Sequence, residues 1–259
     1  MRNLEFSFEE YKRSYIEDNL ENDYLYKNEK EIKENCEIKI NNNKIPFSYY
    51  YEFKEKGKYI IQYSFKNKIS KANYMFCDCK SIININLSNF NTENITDMSY
   101  MFYNCYSLNN INLSNFNTQK VNNMRFMFYN CDSLTSINLS YFNTQNTIDI
   151  SFRFHDCNSL TTINCSNFNT QNVYTMRGMF SLCNSLTNIN LSNFNTQKVK
   201  YMELMFEGCK SLKKLNLFNF KTQNDTKMEE IFKGCSSLKK ECIIVNDINL
   251  KKKIDEYIN

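Results

Sequence analysis

Glycine and proline are nearly absent, at 4 and 1 in 259 residues. Barrels and sandwiches built from many hairpins draw on both residues for their turns, so the scarcity argues against those classes. Histidine is represented by His155 alone. One imidazole without paired carboxylates or an activated nucleophile makes no catalytic site, and the chain is expected not to be an enzyme. No apolar run reaches the roughly 18 residues of a membrane helix, so no membrane insertion is expected. The opening MRNLEFSFEEYKRSYIED has no apolar centre and carries early acids, unlike a secretory leader. That favours a cytoplasmic protein, with the cell surface as the alternative.

Charge is missing from the middle of the chain. Residues 81–197 hold 4 Lys+Arg against 5 Asp+Glu, whereas residues 198–259 hold 13 against 9 and residues 1–80 hold 15 against 14. A neutral centre lacks the electrostatic footprint of nucleic-acid binding, and none is expected. The basic excess at the C-terminal end reads as a solvated face.

What the sequence does have is a period. The stretch VNNMRFMFYNCDSL (121–134) recurs every 26 residues. Its Met-Phe step falls at Met75-Phe76, Met101-Phe102, Met127-Phe128, Met179-Phe180 and Met205-Phe206, with Phe154 and Ile231-Phe232 keeping phase. A cysteine follows at one offset seven times, from Cys79 to Cys235. A fixed period of this size means stacked turns rather than a closed core.

Within one turn the apolar positions Val121, Met124, Met127, Phe128, Cys131 and Leu134 are spaced as on one face of a short helix. Leu134, Ile137 and Leu139 then shift to the period of two of a short strand. The expected fold is an α/β leucine-rich-repeat solenoid of about seven 26-residue turns, each a short parallel strand plus a short helix. Residues 66–240 form the solenoid. Residues 1–65 form an N-terminal cap, with a helix over 1–35 and strands at Cys36–Ile40, Ile45–Phe53 and Lys58–Phe65. Residues 241–259 form a C-terminal cap, with a strand at Cys242–Val245 and a helix at Ile248–Ile258.

The unit SLTNINLSNFNTQKVKYMELMFEGC (185–209), repeated in register, resembles the 26-residue bacterial surface-protein repeat. That group belongs to the BspA-like leucine-rich repeat proteins, which also occur in protists. The resemblance covers about residues 66–240 and rests on the run S-L-x-x-I-N-L-S-N-F-N-T. It implies no catalytic activity and a role as a surface adhesin or protein-interaction module, here with an unidentified protein partner. A monomer without cofactor or metal is expected.

Five features call for a structural answer. The ladder cysteines should point into the core as small hydrophobes, on a helical side whose turns, roughly 8–10 Å apart, stand too far apart for disulfides. Many free thiols favour a reducing compartment. The Asn column, including Asn112, Asn138 and Asn190, should face out from the sheet with Ser88, Ser114, Ser140, Ser166 and Ser192 behind it. There it either hydrogen-bonds along the ladder or forms a docking surface. An aromatic stripe of Tyr74, Tyr100, Phe126 and Phe152, joined by Tyr103, Tyr129 and His155, is confined to the first turns and is not demanded by the repeat. It reads either as cover for the helices or as a partner-binding patch, since aromatics anchor interfaces. The Thr92 to Thr222 column is the one place for an ice- or carbohydrate-binding surface. Finally, the fourth turn carries Thr147, Ile150, Arg153 and Cys165 for Val, Met, Met and Leu. Arg153 is expected to snorkel outward or to meet Asp149 or Asp156.

Overall fold

The computed structural model describes residues 29–47, 59–87 and 90–258. Its architecture follows from where each repeat sends its backbone hydrogen bonds. Met124, Phe126, Phe128 and Asn130 donate their N–H groups to the carbonyls of Asp149, Ser151, Arg153 and His155 in the next turn, at 2.7–3.1 Å. Tyr129, Cys131 and Leu134 instead donate to carbonyls three residues back. An α-helix would have spent all of these donors inside its own segment, four residues back. The expected helix in each turn is therefore absent among the described residues. Its place is taken by a run of β-turns that also pairs with its neighbours.

The turns close through left-handed residues. In the turn shut by Met101 N–H on Met98 O, the third residue is Tyr100 at φ +57°. In the one shut by Cys131 N–H on Phe128 O, it is Asn130 at φ +55°. Positive φ at that place defines a type II turn, where glycine is usual. Two such columns run through the repeats. One is Tyr74, Tyr100, Phe126, Phe152, Gly178, Leu204 and Glu230, and the other is Asp78, Asn104, Asn130, Asp156, Leu182, Gly208 and Gly234. Glycine scarcity thus did not mean few turns.

The strand half of each repeat is as expected, though short. Strands β4 (Asn84–Asn86), β5 (Asn110–Asn112), β6 (Ser136–Asn138), β7 (Thr162–Asn164), β8 (Asn188–Asn190) and β9 (Lys214–Leu217) stand 26 residues apart. They pair in parallel as β4-β5, β6-β7 and β8-β9. A second parallel line of single bridges joins Lys71, Asp97, Asn123, Asp149, Thr175, Tyr201 and Lys227. The molecule is a β-solenoid of about six turns, short of the seven expected. After β9 a 3-10 turn at Lys240–Cys242 interrupts the repeat. The last strand, β10 (Ile243–Val245), consequently pairs with β9 at Ile243↔Leu215, 28 residues apart instead of 26.

The core lies between the two lines. Phe76, Phe102, Phe128, Phe154, Phe180, Phe206 and Phe232 stack with centroids 5.3–5.9 Å apart and planes within 12°. A second Phe column, from Phe90 to Phe220, fills the corner after each strand.

Both ends are sealed. In the N-terminal cap, α1 (Glu29–Asn35) leads into β1 (Cys36–Ile40), which pairs antiparallel with β2 (Asn43–Ile45) and β3 (Ile61–Phe65). Asn41 and Asn42, at φ 47° and 67°, make the β1–β2 turn. Tyr63 and Phe65 set their rings edge-on against Phe76 and Phe90, closing both Phe columns. The helix expected over residues 1–28 and most of the strand expected at Ile45–Phe53 lie outside the described residues. At the other end, α2 (Ile248–Tyr257) buries Leu250 and Ile254 against the last turn. Asp247 caps α2 by accepting from the N–H groups of Asn249 and Leu250. The same carboxylate accepts from Thr222 N and Thr222 Oγ1 at 2.7 and 2.8 Å, and the Tyr257 hydroxyl accepts from Glu230 N.

Candidate functional site

The aromatic stripe packs on itself. Tyr74, Tyr100, Phe126 and Phe152 stack with centroids 4.6, 4.8 and 5.0 Å apart and planes within 16°. Tyr103 and Tyr129 stack at 4.8 Å, and His155 meets Tyr129 edge-on at 4.7 Å. Arg125 lies over the Tyr100 ring and Arg177 over Phe152. Tyr100 is only 2% exposed, so it is a packing residue and not a contact for a partner. The others are half-buried. The stack stops at Gly178 for a steric reason. The Phe152 ring lies over that residue so closely that a Cβ there would meet it at 2.3 Å.

Asn112, Asn138 and Asn190 face out of the strands as expected. They do not bond along the stack. Each Oδ1 accepts the backbone N–H two residues on, from Ser114, Ser140 and Ser192 at 3.0–3.1 Å, which closes the exit from its own strand. Ser88 lies outside the described residues. Amide bonds between turns occur in a left-handed column instead, where Asn104 donates to Asp78 and Asn130 donates to Asn104.

The threonine column is internal. Thr92, Thr118, Thr144, Thr170 and Thr196 are buried. Thr144 Oγ1 donates to Asn169 O at 3.0 Å and accepts from Asn169 N at 2.8 Å, and Thr170 and Thr196 repeat the arrangement. A hydroxyl committed to both partners offers nothing to a lattice or glycan, which removes the ice and carbohydrate reading.

The cysteines are free and the ladder members are buried, but not for the distance expected. Bridged turns stand at strand spacing, about 4.8 Å, rather than helix spacing. From Cys105 onward each ladder thiol is held by donation to the carbonyl of the preceding turn's Phe, as in Cys157 to Phe128 O and Cys183 to Phe154 O, both 3.0 Å, whereas Cys79 donates to Cys77 O. Burial pushes the Cys157 and Cys235 thiols up to about 12, so neither is a nucleophile near neutral pH.

Arg153 does neither thing expected of it. It is fully buried, with its guanidinium carbon 5.2, 5.5 and 5.1 Å from the ring centroids of Phe142, Phe154 and Phe168. Nη2 reaches Met127 Sδ at 3.9 Å, while Nε and Nη1 have no hydrogen-bond partner. Burial lowers its pKa to about 9, and the Cys165 thiol opposes that shift. Rings on three sides hold the cation that a carboxylate was expected to hold.

The aromatics that do project were missed by the sequence reading. Tyr174 and Tyr201 are 46% and 40% exposed and stand edge-on at 5.5 Å; Tyr201 lies on the bridged line, and Tyr174 and exposed Ile148 directly precede its members Thr175 and Asp149. Tyr141 and Phe218 project elsewhere. The signal was available, because each replaces a polar residue of its column. Asn122 and Lys200 share a column with Ile148 and Tyr174, and Asp97, Asn123, Asp149 and Thr175 share one with Tyr201.

Among the described residues no group of three or more His, Cys, Asp or Glu side chains could hold a metal ion, and no helix is long and apolar enough to cross a membrane. No match to a curated protein was found. A solved leucine rich cell surface protein from Faecalibacterium prausnitzii A2-165 is similar over 71% of this chain and 64% of that one, at 15% identity and a TM-score of 0.24. The chain therefore spans slightly less than two thirds of that protein's length. A family model described as "Mycoplasma protein of unknown function, DUF285" matches residues 48–162 and again 134–246, well over half of the chain, and the protein belongs to that family.

Proposed function

We propose that the protein is a non-enzymatic interaction module, a rigid repeat scaffold that docks a protein partner on its bridged line. One observation carries this reading. Ile148, Tyr174 and Tyr201 form an exposed apolar cluster over adjacent turns, with exposed Arg177 beside it, at columns that are otherwise polar. Tyrosine and arginine are enriched at protein interfaces and dominate their energetics. Nothing in the packing of the repeat requires either tyrosine to be there. The half-buried Tyr103 and Tyr129, with the strand-face Asn112, Asn138 and Asn190, form the competing surface.

The test is site-specific photocrosslinking in the native cell, with the reactive residue placed in turn at Tyr174, Tyr201, Tyr129 and Asn138. One shared adduct from Tyr174 and Tyr201, lost when the other tyrosine is changed to Ser at unchanged melting temperature, is the expected result. Adducts from Tyr129 or Asn138 alone would move the docking surface off the bridged line. No adduct at any of the four would leave a structural repeat without a ligand. Whether the module is a scaffold or an adhesin is read from the compartment in which the adduct forms.

A further inference from the structure

Positive charge and exposed apolar side chains coincide at the C-terminal end of the strand face. Leu215 and Leu217 of β9 point into the core, so Lys214 and Asn216 point out. Ile244 of β10 pairs with Asn216 and is more than half exposed on the same face. Phe218 is two residues beyond Asn216 and half exposed. Its carbonyl accepts from Asn246, which brings up exposed Ile248 at the start of α2. Around these stand exposed Lys213, Lys214, Lys221, Lys239 and Lys240. The acids among them are Glu241, Asp255, which pairs with Lys240 at 3.1 Å, and half-buried Asp247, whose carboxylate is taken up by Thr222 and the first N–H groups of α2.

We propose that this end of the solenoid docks peripherally on an anionic lipid surface. The composition selects that occupant. Protein interfaces are depleted in lysine, whereas flexible lysines around exposed Phe and Ile are what an anionic membrane surface attracts and what its acyl boundary takes up. The net positive charge is also greatest toward this end, since residues 198–259 hold 13 Lys+Arg against 9 Asp+Glu, residues 81–197 hold 4 against 5 and residues 1–80 hold 15 against 14. The field therefore orients the molecule end-on and leaves the Tyr174–Tyr201 cluster on the bridged line. Phe218 and Ile244 enter the headgroup boundary while the lysines meet the phosphates. No covalent step is involved.

Co-sedimentation of the full chain tests this, with vesicles of phosphatidylcholine alone and vesicles that include phosphatidylserine. Binding is expected to the second kind only, at about 0.1 M salt, with release at about 0.5 M. Lys214→Ser and Lys239→Ser should each weaken it about fivefold. Phe218→Ser with Ile244→Ser should weaken it further at unchanged melting temperature, because both side chains are exposed. Protein left in the supernatant at low salt, or pelleted equally by phosphatidylcholine, would overturn the proposal. So would polyglutamate competing fully for a binding that Phe218→Ser and Ile244→Ser leave untouched, which would assign this end to an acidic polypeptide.

Discussion

The two faces of each turn are held differently. The strand face has the regular elements, yet it is divided into β4-β5, β6-β7 and β8-β9-β10. The turn face has no regular element, yet its bridges run unbroken from Lys71 to Lys227, and alternate N–H groups cross every junction. Nameable secondary structure is thus a poor guide to where this stack is tied together. The turn face also carries the Phe, Met and Cys columns and both columns of left-handed residues. Damage there should cost more than damage on the strand face.

The largest test of that difference is alkaline pH. Burial raises the ladder thiols above their ordinary value, and Cys157 and Cys235 reach about 12. A raised acid contributes stability that is complete below its unfolded pKa and is lost as pH climbs toward the folded one. Between about pH 9 and 12 each such thiol should remove roughly 1.4 kcal/mol per pH unit. Urea titrations at stepped pH should show this decline, shallower by one thiol's share in Cys157→Ala. A flat profile from pH 9 to 11 would contradict the burial of the column.

Next is a pair of glycines. In Gly178→Ala a Cβ at φ +57° meets the Phe152 ring at 2.3 Å, whereas at Gly234, φ +75°, the nearest neighbour is Gly208 Cα at 3.4 Å. The first substitution should cost about 3 kcal/mol, backbone plus overlap, and the second about 1 kcal/mol. Equal losses in denaturant midpoints would mean that the aromatic stack does not end against Gly178.

Arg153→Met should act in the opposite direction. Replacing an unpaired buried cation by the side chain that neighbouring turns use should stabilise by about 1–3 kcal/mol. A melting temperature that falls would show that the three phenyl rings outweigh the loss of hydration. Smallest of all is a comparison of two columns near the strand. Thr144→Val removes the buried hydroxyl that serves both the N–H and the C=O of Asn169 and should cost about 2 kcal/mol. Asn138→Ala leaves the Ser140 N–H to water and should cost about 0.5 kcal/mol. Reversal of that order would mean that the strand face is the stronger of the two.

The strand half was legible because Ile137 and Leu139 alternate with solvent-facing neighbours, and only a strand has that period. The other half misled because its apolar spacing fits one helical face locally. An α-helix, however, advances 3.6 residues per turn, whereas Val121, Met124 and Met127, and then Phe128, Cys131 and Leu134, advance by threes, with only Met124–Phe128 and Met127–Cys131 four apart. Glycines at 178, 208 and 234 in columns shared with Tyr100 and Asn104 were a second trace of left-handed backbone. The C-terminal helix was legible to within a residue, since Leu250 and Ile254 sit behind an Asp cap. The site was less legible. The stripe of Tyr74, Tyr100, Phe126 and Phe152 was found, but sequence alone cannot tell rings that stack on one another from rings that project. Arg153 was misplaced because no sequence rule anticipates a cation among three phenylalanines.

Asp247 has a consequence for the last layer of the stack. Up to Thr196 every hydroxyl of the column gives a hydrogen bond to the next turn, and those of Thr92, Thr144, Thr170 and Thr196 also receive one from it. At Thr222 the partner is a carboxylate, which only accepts. The next residue of this column would present an N–H and a carbonyl, as Asn169 does to Thr144, and the carboxylate can take the first but has no proton for the second. The residue that starts the last helix therefore also breaks the give-and-take of the threonine column, so the final layer does not repeat the pattern of the layers before it.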